Sequence, residues 1–306
     1  MIAFDNLATE KNNLASAHID EMTTLDMMTL INREDQKAAL SLVPILPQIA
    51  AAVDLIADRL RRGGRLIYCG AGTSGRLGVL DAAECPPTYG TDPRQVTAII
   101  AGGRPAMFAA QEGAEDNMDA AVADLQELQL NRADVLVGLS ASGRAPYVVS
   151  ALRYAGAQGA ATVSVACSPG SAIAEAADIS LTAVPGPEII AGSTRLKAGT
   201  VQKLILNMLS TGAMIRLGKV FGNRMVDLQA TNEKLAERAR RIVSEVTGYP
   251  AEESAQLLKK ADGNAKLAIL LGLSKLLPED ARRILQETDG HLKAALRIAQ
   301  TRGGET

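Results

Sequence analysis

Residues 65–87 of this 306-residue chain, RLIYCGAGTSGRLGVLDAAECPP, contain the clearest indication of its fold. This stretch opens with a short apolar run, passes through a loop with the spacing G-x-G-x-x-G at Gly70, Gly72 and Gly75, and continues with apolar residues at helical intervals. A strand that leads through such a loop into a helix is typical of a parallel α/β sheet. Ligands are therefore expected at the carboxyl ends of the strands.

Four further apolar runs follow, separated for the most part by helical patterns: VTAIIAGG (96–103), DVLVGLSAS (134–142), ATVSVACS (161–168) and ISLTAV (179–184). Strands covered by helices on both faces are apolar along their whole length, whereas strands with one face in water alternate. The sequence therefore predicts an α/β fold with a doubly wound parallel sheet of about five strands and flanking helices.

Helical segments are predicted on both sides of this sheet region. Residues 20–62 and 194–218 carry apolar residues at helical spacing. From about Ser244 the chain changes to short, charged helical segments broken by Gly and Pro. We therefore expect an α/β domain with N-terminal helices over residues 1–243 and a small helical, UBA-like domain over residues 244–306. We interpret the second domain as a packing or dimer-supporting module.

Composition argues against several classes of function. Lys and Arg number 32 against 34 Asp and Glu, and a formal net charge of -2 gives no basic face for nucleic acid. A leader-like start and a run of about 18 apolar residues are both missing, which predicts a cytoplasmic protein with no membrane partner. The three cysteines lie far apart and no Cys/His cluster has zinc spacing, so we expect a reducing compartment and no metal.

Two hydroxyl-rich loops precede predicted helices. The first lacks the acidic partner of a dinucleotide site, because the second strand ends Ala101-Gly102-Gly103. Backbone amides and hydroxyls at a helix start instead suit a phosphate monoester, although the serines could simply cap their helices. The candidate phosphate-binding residues are Gly72, Thr73 and Ser74 in the first loop and Ser140, Ser142 and Gly143 in the second.

Two groups of carboxylates are candidates for acid–base chemistry. Glu84 precedes a proline pair in ECPP (84–87), which we expect to end its helix. A carboxylate at a helix C-terminus opposes the dipole, and its proton affinity rises as a general acid requires. The second group, QEGAEDN (111–117), is expected on the next helix, with Glu112 one turn from Glu115. Such clusters are also typical of a solvated helix face.

The motifs that identify a family are GAGTSGRLGVLDAAECPPTYG (70–90), EGAEDN (112–117), SASGRAPY (140–147), GSTRLKAGT (192–200), QKLILNMLSTGAMIRLGKVFGN (202–223) and MVDLQATNEKL (225–235). Together they resemble the N-acetylmuramic acid 6-phosphate etherases, the MurQ family, over nearly the whole chain. The resemblance implies a sugar isomerase (SIS) fold and a homodimer with sites near the subunit interface. It also implies a sugar phosphate substrate, no cofactor and a place in peptidoglycan amino sugar recycling.

The resemblance further implies roles for two glutamates. Glu84 matches the glutamate of the family's ECPP motif, an acid/base group that serves the ether oxygen. Glu115 matches the second glutamate of the EGAED motif, another acid/base group, to which we assign removal of the C2 proton. The implied reaction on the ring-opened sugar is elimination of D-lactate across C2 and C3, followed by addition of water.

The lactyl carboxylate of such a substrate needs a cation. Arg195 and Lys197 are our candidates, with Arg76 and Arg144 after them, although a contact at a dimer interface explains the first two equally well. Two other functions stay open: an aldose–ketose isomerase of the same fold, and a non-catalytic phosphosugar sensor similar to the glucokinase regulatory protein. An isomerase would need a single base, so the pair of glutamates argues against that function. The sensor would have two tandem SIS domains, whereas this chain has one set of predicted phosphate loops.

Overall fold

The computed structural model of the chain describes residues 10–228, 233–274 and 276–303. Part of the motif MVDLQATNEKL, residues 229–232, therefore lies outside the described residues. The chain forms two compact units. One contains the chain up to Ala83 and Arg94–Gly212, and the other contains Glu84–Pro93 and the chain from Ala213 onward.

The first unit is built on a parallel sheet of five strands in the order β2-β1-β3-β4-β5. Strands β1, β3 and β4 are buried along their whole length, which explains their mainly apolar sequences. The predicted five-stranded parallel sheet is confirmed. The strands are β1 Leu66–Gly70, β2 Val96–Ile100, β3 Val135–Leu139, β4 Ala161–Ala166 and β5 Ile179–Thr182.

Helices connect the strands and extend the first unit at its N-terminus, as predicted. They are α1 Thr24–Leu40, α2 Leu46–Arg61, α3 Gly72–Tyr89, α4 Met118–Glu127, α5 Pro146–Ala157, α6 Ala172–Glu175 and α7 Lys197–Arg216. Helix α5 packs on the sheet through Val148 and Leu152, which are fully buried with Ile67 and Leu136 of the central strands. Single 3-10 turns lie at Leu14–Ser16, Ile19–Glu21, Val43–Ile45, Arg104–Met107 and Ala114–Asp116.

The second unit is mainly helical. It contains the hairpin β6 Val220–Phe221 and β7 Arg224–Met225, followed by α8 Glu233–Thr247, α9 Ala251–Lys260, α10 Ala265–Leu273, α11 Pro278–Glu287 and α12 Leu292–Gly303. Its core joins Val226 and Val243 to Leu270 and Ile284. The predicted boundary at residues 243/244 is therefore wrong, because it cuts through α8, whose apolar face belongs to this core.

One helical run, Thr24–Arg61, contains an 18-residue window with a mean hydropathy of 1.8 and is long and apolar enough to cross a membrane by length and composition. A single run of this kind near the N-terminus is weak evidence, because core helices and signal sequences pass the same test. The run is also interrupted, since the 3-10 turn Val43–Ile45 separates α1 from α2.

Candidate functional site

The two hydroxyl-rich loops follow neighbouring strands and begin at the same level of the sheet. Gly70, the last residue of β1, pairs with Leu139, the last residue of β3. Loops that leave adjacent parallel strands in register lie side by side at the carboxyl edge. The structure therefore brings the two predicted phosphate loops together.

The first loop turns tightly into α3. Gly72 has a φ of +52°, in the left-handed region that favours glycine. A Cβ on Gly70 would lie 2.7 Å from the backbone nitrogen of Gly75, so the strand end and the helix start approach each other too closely for a side chain. Thr73 is half-buried and Ser74 is buried. The Ser74 hydroxyl donates to Oε1 of Gln202 on α7, at 2.9 Å.

The second loop uses its serines as hydrogen-bond acceptors for its own backbone. Oγ of Ser140 accepts from the Gly143 N–H at 3.1 Å, and Oγ of Ser142 accepts from the Arg144 N–H at 3.3 Å. The two hydroxyl oxygens lie 3.4 Å apart. A hydroxyl that accepts from the backbone still has its proton to donate. The loop is therefore both a backbone turn and a source of donors for an anion.

Glu115 lines a cleft beside the first loop. The cleft has a volume of about 200 Å³. Its walls come from the end of β1, the start of α3, the end of β2 and the segment that precedes α4. The lining residues are Ala71, Gly72, Arg76, Ala101, Ala106, Ala110, Gln111, Glu112, Gly113, Ala114 and Glu115. An exposed carboxylate thus shares a cleft with the helix start proposed to hold phosphate.

The carboxylate cluster of residues 111–117 is not on an α-helix, contrary to our prediction. Gly113 has a φ of +72° and precedes a single 3-10 turn, and α4 begins only at Met118, where the Asn117 side chain caps it. The left-handed glycine prevents the helix from starting earlier. The expected one-turn spacing of Glu112 and Glu115 is therefore wrong, and both side chains lie on a loop.

Glu84 is exposed on α3, within the part of that helix that belongs to the second compact unit. The proline pair after it does not end the helix, as we expected, because α3 continues to Tyr89. Proline has a helical φ, and the Gly90 N–H closes the last turn onto the Pro86 carbonyl at 2.9 Å. Glu84 lies more than one turn before the helix end, so the helix-dipole argument for its proton affinity does not apply.

Lys197 is not placed to bind a lactyl carboxylate from solvent. Its side chain is fully buried, and its ammonium donates to Oε2 of Glu34 at 2.8 Å and to the Pro185 carbonyl at 3.3 Å. Glu188, also buried, caps α7 by accepting from the N–H groups of Lys197 and Ala198. This candidate is corrected, because the ion pair with Glu34 already satisfies the lysine.

The three arginine candidates differ in position. Arg195 is exposed and lines an apolar groove with Ile19 and Ile190. Arg144 is exposed after the second loop. Arg76 is half-buried in the cleft that contains Glu115, and its Nε donates to the Met107 carbonyl at 3.2 Å.

The sequence did not point to Gln202, Glu34 or Glu188. Each is buried and polar, and each has a hydrogen-bond partner that is distant in sequence or on another element. The available signal was a polar residue on the apolar stripe of a predicted helix, which Gln202 and Glu34 both show. Within residues 10–228, 233–274 and 276–303, no three His, Cys, Asp or Glu side chains form a group that could hold a metal ion.

Three family models match the chain. The N-terminal SIS domain of glucokinase regulatory protein matches residues 48–156, and the SIS domain matches residues 117–211. The C-terminal lid domain of glucokinase regulatory protein matches residues 222–268. The fold predicted from the apolar runs is thus also found by family comparison.

Curated relatives match over nearly their whole length. An N-acetylmuramic acid 6-phosphate etherase from Clostridium beijerinckii is 55% identical over 291 residues, which are 95% of this chain and 96% of that protein. Proteins of the same name from Aliivibrio fischeri strain ES114 and Pasteurella multocida are 54% and 51% identical, and the matches cover 96% and 97% of this chain and 98% and 99% of those proteins.

Solved structures share the fold at low identity. A protein from Bacteroides fragilis titled as a phosphosugar isomerase involved in capsule formation has a TM-score of 0.52 at 19% identity, over 71% of this chain and 97% of that chain. A phosphoheptose isomerase from Francisella tularensis has a TM-score of 0.50 at 20% identity, over 63% of this chain and 100% of that chain.

Proposed function

Because this chain belongs to the family of N-acetylmuramic acid 6-phosphate etherases, we propose that Glu115 and Glu84 share the proton transfers that cleave the D-lactyl ether of its substrate. The reaction converts N-acetylmuramic acid 6-phosphate into N-acetylglucosamine 6-phosphate and D-lactate, a step of peptidoglycan amino sugar recycling. The observation that carries the division of roles is the cleft that joins Glu115 to the start of α3.

The phosphate is proposed to bind between the two loops. Gly72, Thr73 and Ser74 offer backbone amides and hydroxyls at the start of α3, where the helix dipole favours an anion. The oxygens of Ser140 and Ser142 accept from the Gly143 and Arg144 N–H groups, and their hydroxyl protons can turn from the contact between the two hydroxyls to a phosphate. Their position on adjacent strand ends supports a single phosphate gripped from both loops.

Glu115 is proposed as the base. With the phosphate at the start of α3, the sugar extends into the cleft that the Glu115 carboxylate lines. Ring opening makes the proton on C2 acidic, because it then lies next to an aldehyde. Removal of this proton pushes out the ether oxygen from C3, and a protonated carboxyl, assigned to Glu84, donates to that oxygen. Water then adds to C3 in the reverse sense.

We propose Arg76 as the cation nearest to this chemistry. It lines the same cleft as Glu115, whereas Arg195 lines a separate apolar groove and the Lys197 ammonium is held by Glu34. Nε of Arg76 is fixed by the Met107 carbonyl, which orients the rest of the guanidinium. A planar guanidinium can bind a carboxylate through two parallel hydrogen bonds.

We also propose a homodimer with sites near the subunit interface, in the cytoplasm. The outer face of α1 and the turn after it exposes Leu25, Leu40 and Val43 at 76%, 68% and 59% of their surface. Large exposed apolar side chains on one helix and the turn that follows it support a protein interface there. The three cysteines are free and buried, which supports a reducing compartment.

One assay tests the activity. The purified chain is incubated with N-acetylmuramic acid 6-phosphate, and D-lactate and N-acetylglucosamine 6-phosphate are measured by coupled enzymes and mass spectrometry. We expect equal amounts of both products, with one solvent oxygen at C3 of the sugar in ¹⁸O-water. An isomerase would change the sugar without releasing lactate, and a sensor would bind the phosphosugar unchanged. Either result would remove the proposed mechanism.

A further inference from the structure

Gln202 is a buried polar residue that the proposed mechanism does not use. It lies in the first half of α7 with 1% of its surface exposed. Its Oε1 accepts the Ser74 hydroxyl proton at 2.9 Å. Its Nε2 is buried and has no hydrogen-bond partner in the part of the chain that the structure describes. Among the described residues, the amide oxygen therefore has a hydrogen-bond partner and the amide nitrogen has none.

This arrangement conflicts with phosphate binding by Ser74. A serine hydroxyl has one proton to donate, and a phosphate dianion has only acceptor oxygens. If Ser74 donates to phosphate, it cannot also donate to Gln202. Two acceptor oxygens, Oγ of Ser74 and Oε1 of Gln202, would then face each other at 2.9 Å, which is a repulsive contact.

We propose that Gln202 is a positioning residue whose amide turns by 180° to release the Ser74 proton for phosphate. The turn exchanges Oε1 and Nε2 within nearly the same volume. Nε2, which has no hydrogen-bond partner among the described residues, then donates to Oγ of Ser74, and the Ser74 hydroxyl is free to donate to the phosphate. This inference rests on the proposed function, because it takes Ser74 as a phosphate ligand.

The proposal makes the amide group itself necessary. An ionised glutamate at position 202 can accept from Ser74 but cannot donate to it, and it therefore holds the Ser74 proton away from phosphate. A protonated glutamate regains one donor. A methionine of similar shape neither donates nor accepts strongly, so it leaves Ser74 unoriented.

The experiment measures binding of inorganic phosphate and of N-acetylglucosamine 6-phosphate to the full chain by calorimetry, with N-acetylglucosamine as the ligand without phosphate. We expect Gln202→Glu to weaken both phosphate ligands about tenfold or more at pH 8, and less relative to the unmutated chain at pH 6. Gln126→Glu adds the same charge at an exposed site on α4 and is the matched control. Gln202→Met should weaken binding to a smaller extent.

The Ser74→Ala background separates positioning from packing. There, Gln202→Met should cause no further loss, because no hydroxyl remains to orient. An equal loss in both backgrounds, or unchanged phosphate affinity in Gln202→Glu, would overturn the proposal.

The unmutated chain provides a test that does not depend on how the variants fold. The ¹⁵N side-chain amide signal of Gln202 should shift when phosphate is added, and a signal that stays in place at saturating phosphate would also overturn the proposal. Failure of the unmutated chain to release lactate would instead refute the proposed mechanism, because none of these binding measurements depends on turnover.

Discussion

The Glu84→Gln and Glu115→Gln variants are expected to lose different steps of the reaction. If Glu115 removes the C2 proton and Glu84 protonates the ether oxygen, Glu84→Gln should block lactate release by at least about a hundredfold but still permit proton abstraction. In deuterated water this variant should incorporate deuterium at C2 of the sugar, as measured by mass spectrometry.

The Glu115→Gln variant should lose both deuterium exchange at C2 and cleavage of the lactyl ether. Glu112→Gln, a change in the same loop and the same cleft, is the matched control and should retain most of both activities. Exchange that survives in Glu115→Gln and disappears in Glu84→Gln would reverse the two roles. Lactate release at the normal rate by both variants would exclude this mechanism.

Glu34 should make the stability of the chain sensitive to acid. Burial raises the pKa of Glu34, but hydrogen bonds from Lys197, Lys37 and Asn13 outweigh burial and lower the pKa from 4.5 to about 2. A carboxyl whose pKa is lower in the folded chain stabilises it fully above the unfolded pKa and loses that effect as pH falls towards the folded pKa. The loss should therefore occur between pH 4.5 and about 2.

Urea unfolding at pH 7 and pH 3 measures this effect. The Glu34→Gln variant should lose less free energy of unfolding between the two pH values than the unmutated chain does, because it has no proton to take up at this position. Lys197→Met should cost about 3 to 5 kcal/mol at pH 7, since it leaves Glu34 charged and buried without its buried cation, and only the more exposed Lys37 remains as an ion-pair partner. If the free energy of unfolding fell by the same amount between pH 7 and pH 3 in Glu34→Gln and in the unmutated chain, the stabilising role assigned to the Glu34 carboxylate would be contradicted.

For single residues, the two loops could be identified from the sequence, but the hydrogen-bond and ion-pair partners of the candidate residues could not. Ser74 could be selected because its loop has a recognisable spacing after an apolar strand. Its partner Gln202 lies 128 positions away, and Glu34 lies 163 positions from Lys197. The first pair depends on how α3 meets α7 and the second on how α1 meets α7, and residue spacing in a single sequence does not show those contacts. The burial of Lys197 was missed for this reason.

The turn of the second hydroxyl-rich loop contains a glycine, Gly143, in a conformation that disfavours any other residue. Gly143 has a φ of +70°, and a Cβ there would lie 2.2 Å from Cβ of Ser171. Gly143→Ala should therefore destabilise the chain by about 2 kcal/mol or more and weaken phosphate binding, since the backbone must shift. Thermal unfolding and phosphate calorimetry measure the two effects.

Gly156→Ala is the matched control for this change. Gly156 lies within α5, has no neighbour within 4 Å of an added Cβ, and is not in the left-handed region. Alanine there should raise stability by up to about 1 kcal/mol and leave phosphate binding unchanged. Equal effects of the two substitutions would mean that Gly143 has no special conformational role.

At the scale of elements, strands were easier to predict than helix boundaries. Mainly apolar runs identified all five strands of the sheet, because β1, β3 and β4 are fully buried and only the small hydroxyl side chains of Thr162 and Ser164 in β4 interrupt their apolar sequences. The predicted helix ends were wrong where two local sequence signals favoured different structures. The proline pair suggested a stop, but α3 retains its last turn through Gly90. Residues 112–116 looked helical, but Gly113 adopts a left-handed conformation.

The apolar face of α1 and the following turn should hold two copies of the chain together. Leu40→Glu combined with Val43→Glu places charges on side chains that are 68% and 59% exposed in one chain, so the fold itself should tolerate them. We expect the variant to sediment as a monomer of about 32 kDa, the mass of one chain. A variant that sediments as the unmutated chain does would exclude this face as the interface.

The length of helix α3 separates two of its candidate site residues, Ser74 and Glu84. Ser74 and Glu84 lie on one continuous helix, Gly72–Tyr89, and ten residues of α-helix correspond to about 15 Å along its axis. A hexose 6-phosphate spans less than two helical turns, about 11 Å, from phosphorus to C3. If Ser74 binds phosphate and Glu84 protonates the ether oxygen, as proposed, we expect one copy of α3 to serve two different substrate molecules, with Ser74 at one and Glu84 at the other. Genetic complementation follows: co-expressed Ser74→Ala and Glu84→Gln chains, each inactive alone, should form hybrids in which one of the two sites is intact, with up to about half the activity per hybrid.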